Sequence, residues 1–274
     1  MTLFVALVVA AALASPLRAQ TPAAPARTGA ARTPPTADSL DQISYRGYLL
    51  WQYDFVAWAA SDSVNLRHPP AGVASRMIAR QRGERRDRWD VAFGRLSANR
   101  DTFYVAYEVR QQQNDPNNFD VVELTPARPD VGYYAAAARA VSIAKDDYGT
   151  LPRPYNSAVI ERPNGMLWVY LMPTQTEPGV YPLGGDVRYL FPADGRLIAA
   201  KRQLHKAIIE YRSDKMSAAN IEAGTHTAIL DNIPEDTDVF HVLTRRPSVP
   251  EYVMTEAFLY SISPKGNIRI VSSR

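Results

Sequence analysis

The spacing of apolar side chains changes character several times along this chain, and each change predicts an element. Ser39-Leu40-Asp41-Gln42 has the form of a capping box, able to satisfy the orphan N–H groups of a helix start. Leu40, Ile43, Gly47, Trp51, Phe55 and Trp58 follow at three- and four-residue steps. That spacing predicts a helix to about Ser61, docked through both tryptophans. Pro69-Pro70 opens a second, shorter helical stretch through Met77 and Ile78. From Trp89 the period becomes two. Trp89, Val91 and Phe93 share one face of a strand, and Phe103, Val105, Tyr107 and Val109 share one face of the next, with Ser97 to Asp101 as the turn. Asp130 then caps an alanine-rich helix running from Val131 to about Lys145.

Asn164-Gly165 suits the positive φ of a tight turn and joins residues 157–161 to 166–172. Ala193-Asp194-Gly195 plays the same part between residues 187–191 and 196–202. Two more hairpins are predicted, one pairing residues 226–230 with 238–243, the other pairing 255–262 with 268–271 across Ser263-Pro264-Lys265-Gly266. Residues 204–212 fit helix and strand equally. Successive hairpins force antiparallel pairing, because parallel neighbours need long crossovers. The predicted fold class is therefore α+β: a predominantly antiparallel sheet built from successive hairpins, covered by the N-terminal helix and the central Ala-rich helix. The strands flanking Asn164-Gly165 are apolar on both faces, which places them centrally.

The N-terminus departs from this pattern. Residues 3–14 form a twelve-residue apolar run, shorter than the ~20 residues that span a bilayer core and of the length of a secretory h-region. Residues 1–19 read as a signal peptide cleaved after Ala19, although no Lys or Arg precedes the run. Residues 20–39, with four prolines and no large apolar side chain, read as a disordered Pro/Ala-rich tether. Residues 40–274 are then a single domain, and the expected location is extracytoplasmic, periplasmic or secreted, in a bacterium.

Composition narrows the chemistry. The chain carries +3 and no cysteine, which removes disulfides, thiolate metal sites and a cysteine nucleophile. Arg18 goes with the leader, and Arg27, Arg32 and Asp38 go with the tether, so residues 40–274 keep only +1. No nucleic-acid partner is expected from that balance. The densest basic cluster holds Arg76, Arg80, Arg82, Arg85, Arg86 and Arg88. Arg76 and Arg80, one helical turn apart on the predicted short helix, are candidate ligand-binding residues for contact with an anionic envelope surface.

Asp54, between Tyr53 and Phe55, is a candidate buried acid. Ser142 and Lys145 have the S-x-x-K spacing of serine penicillin-recognising enzymes, but Ser142 falls in the second half of its helix and no K-T-G follows. The histidines are His68, His205, His226 and His241. In the predicted hairpin His226 and His241 share a face on a diagonal, making them the candidate metal ligands. Neither Glu256 nor His205 is fixed in range as a third, so no cofactor and no bound zinc is expected. The sequence reads as an exported non-catalytic binding or structural domain, with an extracytoplasmic hydrolase or metal-dependent enzyme as the alternative.

Overall fold

Helix α1 (Ala37–Asn65) begins three residues earlier than its pattern predicts, because Thr36 and not Ser39 is the cap: Thr36 Oγ1 accepts from the Ser39 N–H at 3.2 Å. Ala37 to Ser39, expected in the tether, belong to this helix. A computed structural model describes residues 33–83, 86–213 and 221–274. The predicted leader and most of the tether lie outside the described residues. Residues Pro34–Arg274 form one compact unit.

The buried stripe of α1 runs Leu40, Ile43, Gly47, Leu50, Tyr53, Val56, Ala60 and Val64. After Gly47 it steps by three where the expected stripe steps by four, so Trp58 is 61% exposed and Phe55 40%. Contrary to the expectation from spacing, the tryptophans do not form the docking face of α1. Residues 48–60 are apolar on almost every side, and spacing alone does not choose among their faces. Packing chooses the side whose small residues, Val56 and Ala60, let the helix approach the strands. Tyr53 fits that side because its hydroxyl accepts from the Ala79 N–H at 3.3 Å and its ring meets Trp89 edge-on at 5.7 Å.

Strands β1 (Arg76–Arg82), β2 (Arg88–Leu96), β3 (Phe103–Gln111) and β4 (Phe119–Asp130) form an antiparallel meander in that order. The β2–β3 hairpin is as predicted. The short helix expected after Pro69-Pro70 is instead a turn followed by β1, since Met77, Ile78 and Ala79 pair with Phe93, Ala92 and Val91. In β3 the four-residue face is broken. Phe93 lies opposite Tyr107 and Gly94 opposite Val105, leaving Ala106 as a bulge. Phe103 and Val105 therefore enter the core shared with α2 (Tyr133–Tyr148), while Tyr107 and Val109 enter the core under α1. Asp130 Oδ1 accepts from the N–H groups of Gly132 and Ala135, so the predicted acid does serve the start of α2.

A second sheet has the order β5 (Tyr155–Glu161), β6 (Leu167–Pro173), β8 (Val187–Phe191), β9 (Ala200–Gln203). Both predicted hairpins are present in it, although β5 lies at an edge and only β6 of that pair is central. The ambiguous segment supplies β10 (Ile208–Arg212), antiparallel to β7 (Val180–Gly184). The C-terminal sheet contains β11 (Gly224–Thr227), β12 (Glu251–Met254), β13 (Phe258–Ile262) and β14 (Ile268–Ser273). Its β13–β14 hairpin was expected.

The other predicted C-terminal hairpin does not form: residues 238–243 lie in helix α3 (Asp236–Thr244), and β11 runs parallel to β12 through that crossover. The local reason is an acidic helix start. Glu235 caps the N-terminus, accepting from the Asp238 N–H, while the Asp238 side chain accepts from the Glu235 N–H at 2.7 Å. Val239 and Val242 then face the core. α1 and α3 touch at Gly47, where a Cβ would stand 2.4 Å from Val239 Cβ and 2.6 Å from the Asp236 carbonyl oxygen. Among the described residues no helix is long and apolar enough to cross a membrane.

Candidate functional site

The β11–α3–β12 crossover sets Asp238, in the first turn of α3, against His226 on β11. The connection from β9 to β10 brings His205 to the same point. His205 Nε2 lies 2.9 Å and His226 Nε2 3.0 Å from the same oxygen, Asp238 Oδ1. All three donor atoms fall within 4.8 Å of one another. The side chains are nearly sealed, at 9% exposed for His205, 1% for His226 and 0% for Asp238. Despite the short distances, neither contact has the direction of a hydrogen bond: both Nε2 atoms and Asp238 Oδ1 lack a hydrogen-bond partner.

The far side of each imidazole is held. His205 Nδ1 lies 2.8 Å from Asp186 Oδ1, and His226 Nδ1 lies 2.8 Å from Glu251 Oε1. Asp186 follows β7, and Gln203 Nε2 clamps this corner by donating to the backbone oxygens of Asp186 and His205. Glu251 is bound in turn by Tyr211 Oη at 2.9 Å and by the buried Arg245 Nη1. Gly224, opposite Glu251 in the parallel register, makes room for this pair, since a Cβ there would stand 2.0 Å from Glu251 Oε2.

With neutral imidazoles the ionised groups of this cluster are Asp186, Asp238, Glu251 and Arg245, an excess of two negative charges. Either two protons or one divalent cation balances it. Burial pulls the His205 imidazole down, but the Asp238 and Asp186 carboxylates outweigh it and lift the group to about 11. Burial likewise opposes the charge on His226, and Asp238 with Glu251 raises it to about 9. Burial pushes the Asp238 carboxyl up, yet the two facing imidazoles hold it well below the usual carboxylate range. The site is thus built to hold positive charge, and its Nε2 atoms converge on a point where a cation would sit.

His241, the other expected ligand, is on α3 with its ring 4.7 Å from that of Tyr211. Burial and the Arg245 guanidinium lower it to about 3. The diagonal His226–His241 pair required a hairpin that does not exist, and His226 instead lies beside Val253 of β12. Glu256 is exposed and His68 is exposed. Sequence reasoning missed Asp238 because it placed that residue in a strand. The signal was present: Pro234, then Glu235, Asp236 and Asp238, is the acidic opening of a helix. No known protein family, curated protein or solved structure matches this chain.

A pocket of about 70 Å³ adjoins the histidines, lined by His205, His226, Leu204, Ile209 and Ile229 among others. A larger cavity lies elsewhere, a cleft of about 760 Å³ where edge strands β1 and β5 face each other between α1 and α2. Asp54, Arg76 and Lys145 all line it. Burial pushes the Asp54 carboxyl up to about 6. Arg80 is not in this cleft. Its guanidinium takes Glu161 in two bonds, at 3.2 and 3.3 Å, and stacks over Tyr133 at 4.5 Å. Arg76 and Arg80 thus stand on a strand, not a helix turn, and meet different surroundings. Arg86 also reaches Glu161 and Arg82 reaches Asp90, so the basic cluster is largely neutralised in place. Ser142 is buried with its hydroxyl donating to the Ala138 carbonyl oxygen at 3.0 Å, facing no cavity with Lys145.

Proposed function

We propose that this protein is an exported metal-binding domain in which His205, His226 and Asp238 hold one divalent transition-metal ion. The observation that carries the reading is the convergence of two Nε2 atoms and one carboxylate oxygen, 2.9 and 3.0 Å apart, in the absence of hydrogen-bond geometry. Tetrahedral bonds of ~2.1 Å put neighbouring donors ~3.4 Å apart, so each imidazole need move only about half an ångström from Asp238 Oδ1 to admit an ion. Two imidazoles and a carboxylate, with no thiolate, suit zinc among the available ions. Each imidazole also has its Nδ1 on a carboxylate, the arrangement that fixes the tautomer and turns Nε2 toward a metal.

An ion held this way joins three separated segments: the β9–β10 connection, β11 and α3. Its binding energy is therefore also folding energy. A second reading, a metal-dependent hydrolase, draws support from ligand number. Three protein ligands leave one coordination position, and the 70 Å³ pocket beside His205 and His226 has room for water. Bound zinc would supply Lewis acidity and an ionisable water at that position.

Elemental analysis after dialysis, before and after reconstitution with zinc, tests the metal itself. One equivalent is expected in the parent, and less than a tenth in a His205→Ala, His226→Ala double variant. A parent that takes up no metal on reconstitution would leave the cluster a buried ion-pair network and end this reading.

A further inference from the structure

The 760 Å³ cleft contains two cations that, among the described residues, make no ion pair. Arg76, at the start of β1, and Lys145, in the last turn of α2, both line it. Among the described residues neither guanidinium nor ammonium makes an ion pair or side-chain hydrogen bond, in contrast to Arg80, Arg82 and Arg86 close by in the sequence. Both are only part-exposed. Burial disfavours each charge; Arg100 adds to the penalty on Arg76 and Asp146 offsets part of it, while Arg76 further disfavours the charge of Lys145, so the two lie within electrostatic reach of one another. Like charges converging on one cavity are unfavourable unless an anion completes them. Among the described residues Asp54 is the only carboxylate lining the cavity, and neither cation bonds to it.

The apolar and aromatic part of the lining comprises Leu50, Tyr53 and Trp58 from α1, with Met77, Ile78 and Met172. Trp58 lines the cleft and is largely exposed, leaving its indole free to meet a ligand. A cavity of this size matches drug-sized ligands, and its lining mixes these apolar side chains with Ser75, Asn156, Ser157, Thr174 and Gln175, which can orient a polar group. We propose that this cleft binds a small organic anion, an apolar body lying against the α1 wall with one carboxylate or phosphate headgroup between Arg76 and Lys145. The site is separate from the metal centre in its residues and does not depend on it.

Tryptophan fluorescence titration of the full chain with decanoate, decyl phosphate and decanol tests this. Either anion should saturate at one equivalent, and the stronger of the two names the headgroup; decanol, with the same chain and no charge, should bind at least ten-fold more weakly. Arg76→Ala and Lys145→Met should each weaken the anion at least ten-fold and leave decanol unchanged, while Arg76→Lys restores part of the loss. Decanol binding as tightly as both anions, or anion affinity unmoved in Arg76→Ala and Lys145→Met, would overturn the proposal. The His205→Ala, His226→Ala variant separates the two sites. Anion binding should persist in it; if it disappears there while the variant stays folded by circular dichroism, the anion is captured at the metal and the cleft proposal fails.

Discussion

Replacing Asp186 with alanine should perturb the proposed metal centre without removing any of its three proposed ligands. Asp186 Oδ1 accepts from His205 Nδ1 at 2.8 Å, and the residue is 3% exposed, so no bulk water stands ready to replace it. In Asp186→Ala the His205 ring loses the bond that sets its tautomer and its angle to Asp238. Such supporting carboxylates are worth 10–100-fold in metal affinity, or ~1.4–2.7 kcal/mol. The metal-free protein should also lose ~1–3 kcal/mol from an unsatisfied Nδ1–H. At ~2–4 °C per kcal/mol for a domain of this size, that lowers its thermal midpoint by ~2–12 °C. Zinc affinity would be read by competition with a chromophoric chelator, and fold integrity by the metal-free midpoint. The reasoning fails if Asp186→Ala binds zinc within two-fold of the parent, because orientation would then contribute nothing. It fails equally if a folded variant loses the metal as completely as His205→Ala.

Asp54→Asn should stabilise the protein in a pH-dependent way. The folded carboxyl is raised to about 6 by burial, above its unfolded value, so the native state holds this proton more tightly and stability falls as pH climbs from ~4 through ~6. Above that window the penalty is complete at up to ~3 kcal/mol, so the substitution should raise the midpoint at pH 8 and have no such benefit near pH 3.5; an equal gain at both would refute the assignment. Trp58→Ala should cost less than ~1 kcal/mol by urea denaturation, because the side chain is largely exposed, where a buried tryptophan would cost ~3–5 kcal/mol. Asp236→Ala should cost ~3–5 kcal/mol, since it strands Arg46, Arg188 and Tyr170, all bonded to that fully buried carboxylate; a loss under 1 kcal/mol would show that the guanidiniums simply turn to solvent.

The contrast between what pattern reveals and what it conceals follows the range of the forces. The α+β class, the hairpins at Asn164-Gly165 and at Lys265-Gly266, and the Ala-rich helix are decided by neighbours a few residues apart, through turn chemistry and period. The face of α1 is not, because a nearly all-apolar stretch offers several stripes and only the partner surface selects one. The phase of β3 is likewise set by a single bulge at Ala106 that leaves no mark in the alternation itself. At the His205–His226–Asp238 cluster, His226 was named but joined to the wrong partner. The error was one of element type: a period of two and a helix start compete in residues 236–243, and the acidic first turn outweighed alternation. His205 and Asp186, from separate connections, meet only through tertiary structure.

The contact between Arg46 and Asp236, 2.7 Å apart and separated by 190 residues, has a consequence for synthesis from the N-terminus. Helix α1 leaves the ribosome, or the translocation channel, long before the acid that neutralises its arginine exists. Until α3 arrives, Leu40, Ile43 and Gly47 have no α3 surface to cover them, and Arg188 and Tyr170 wait for the same carboxylate. The nascent chain therefore presents an uncovered apolar helix face for most of its emergence, a natural point of contact for a holding chaperone. Closure of α1 against α3 cannot precede synthesis of Asp236–Thr244, near the end of the chain.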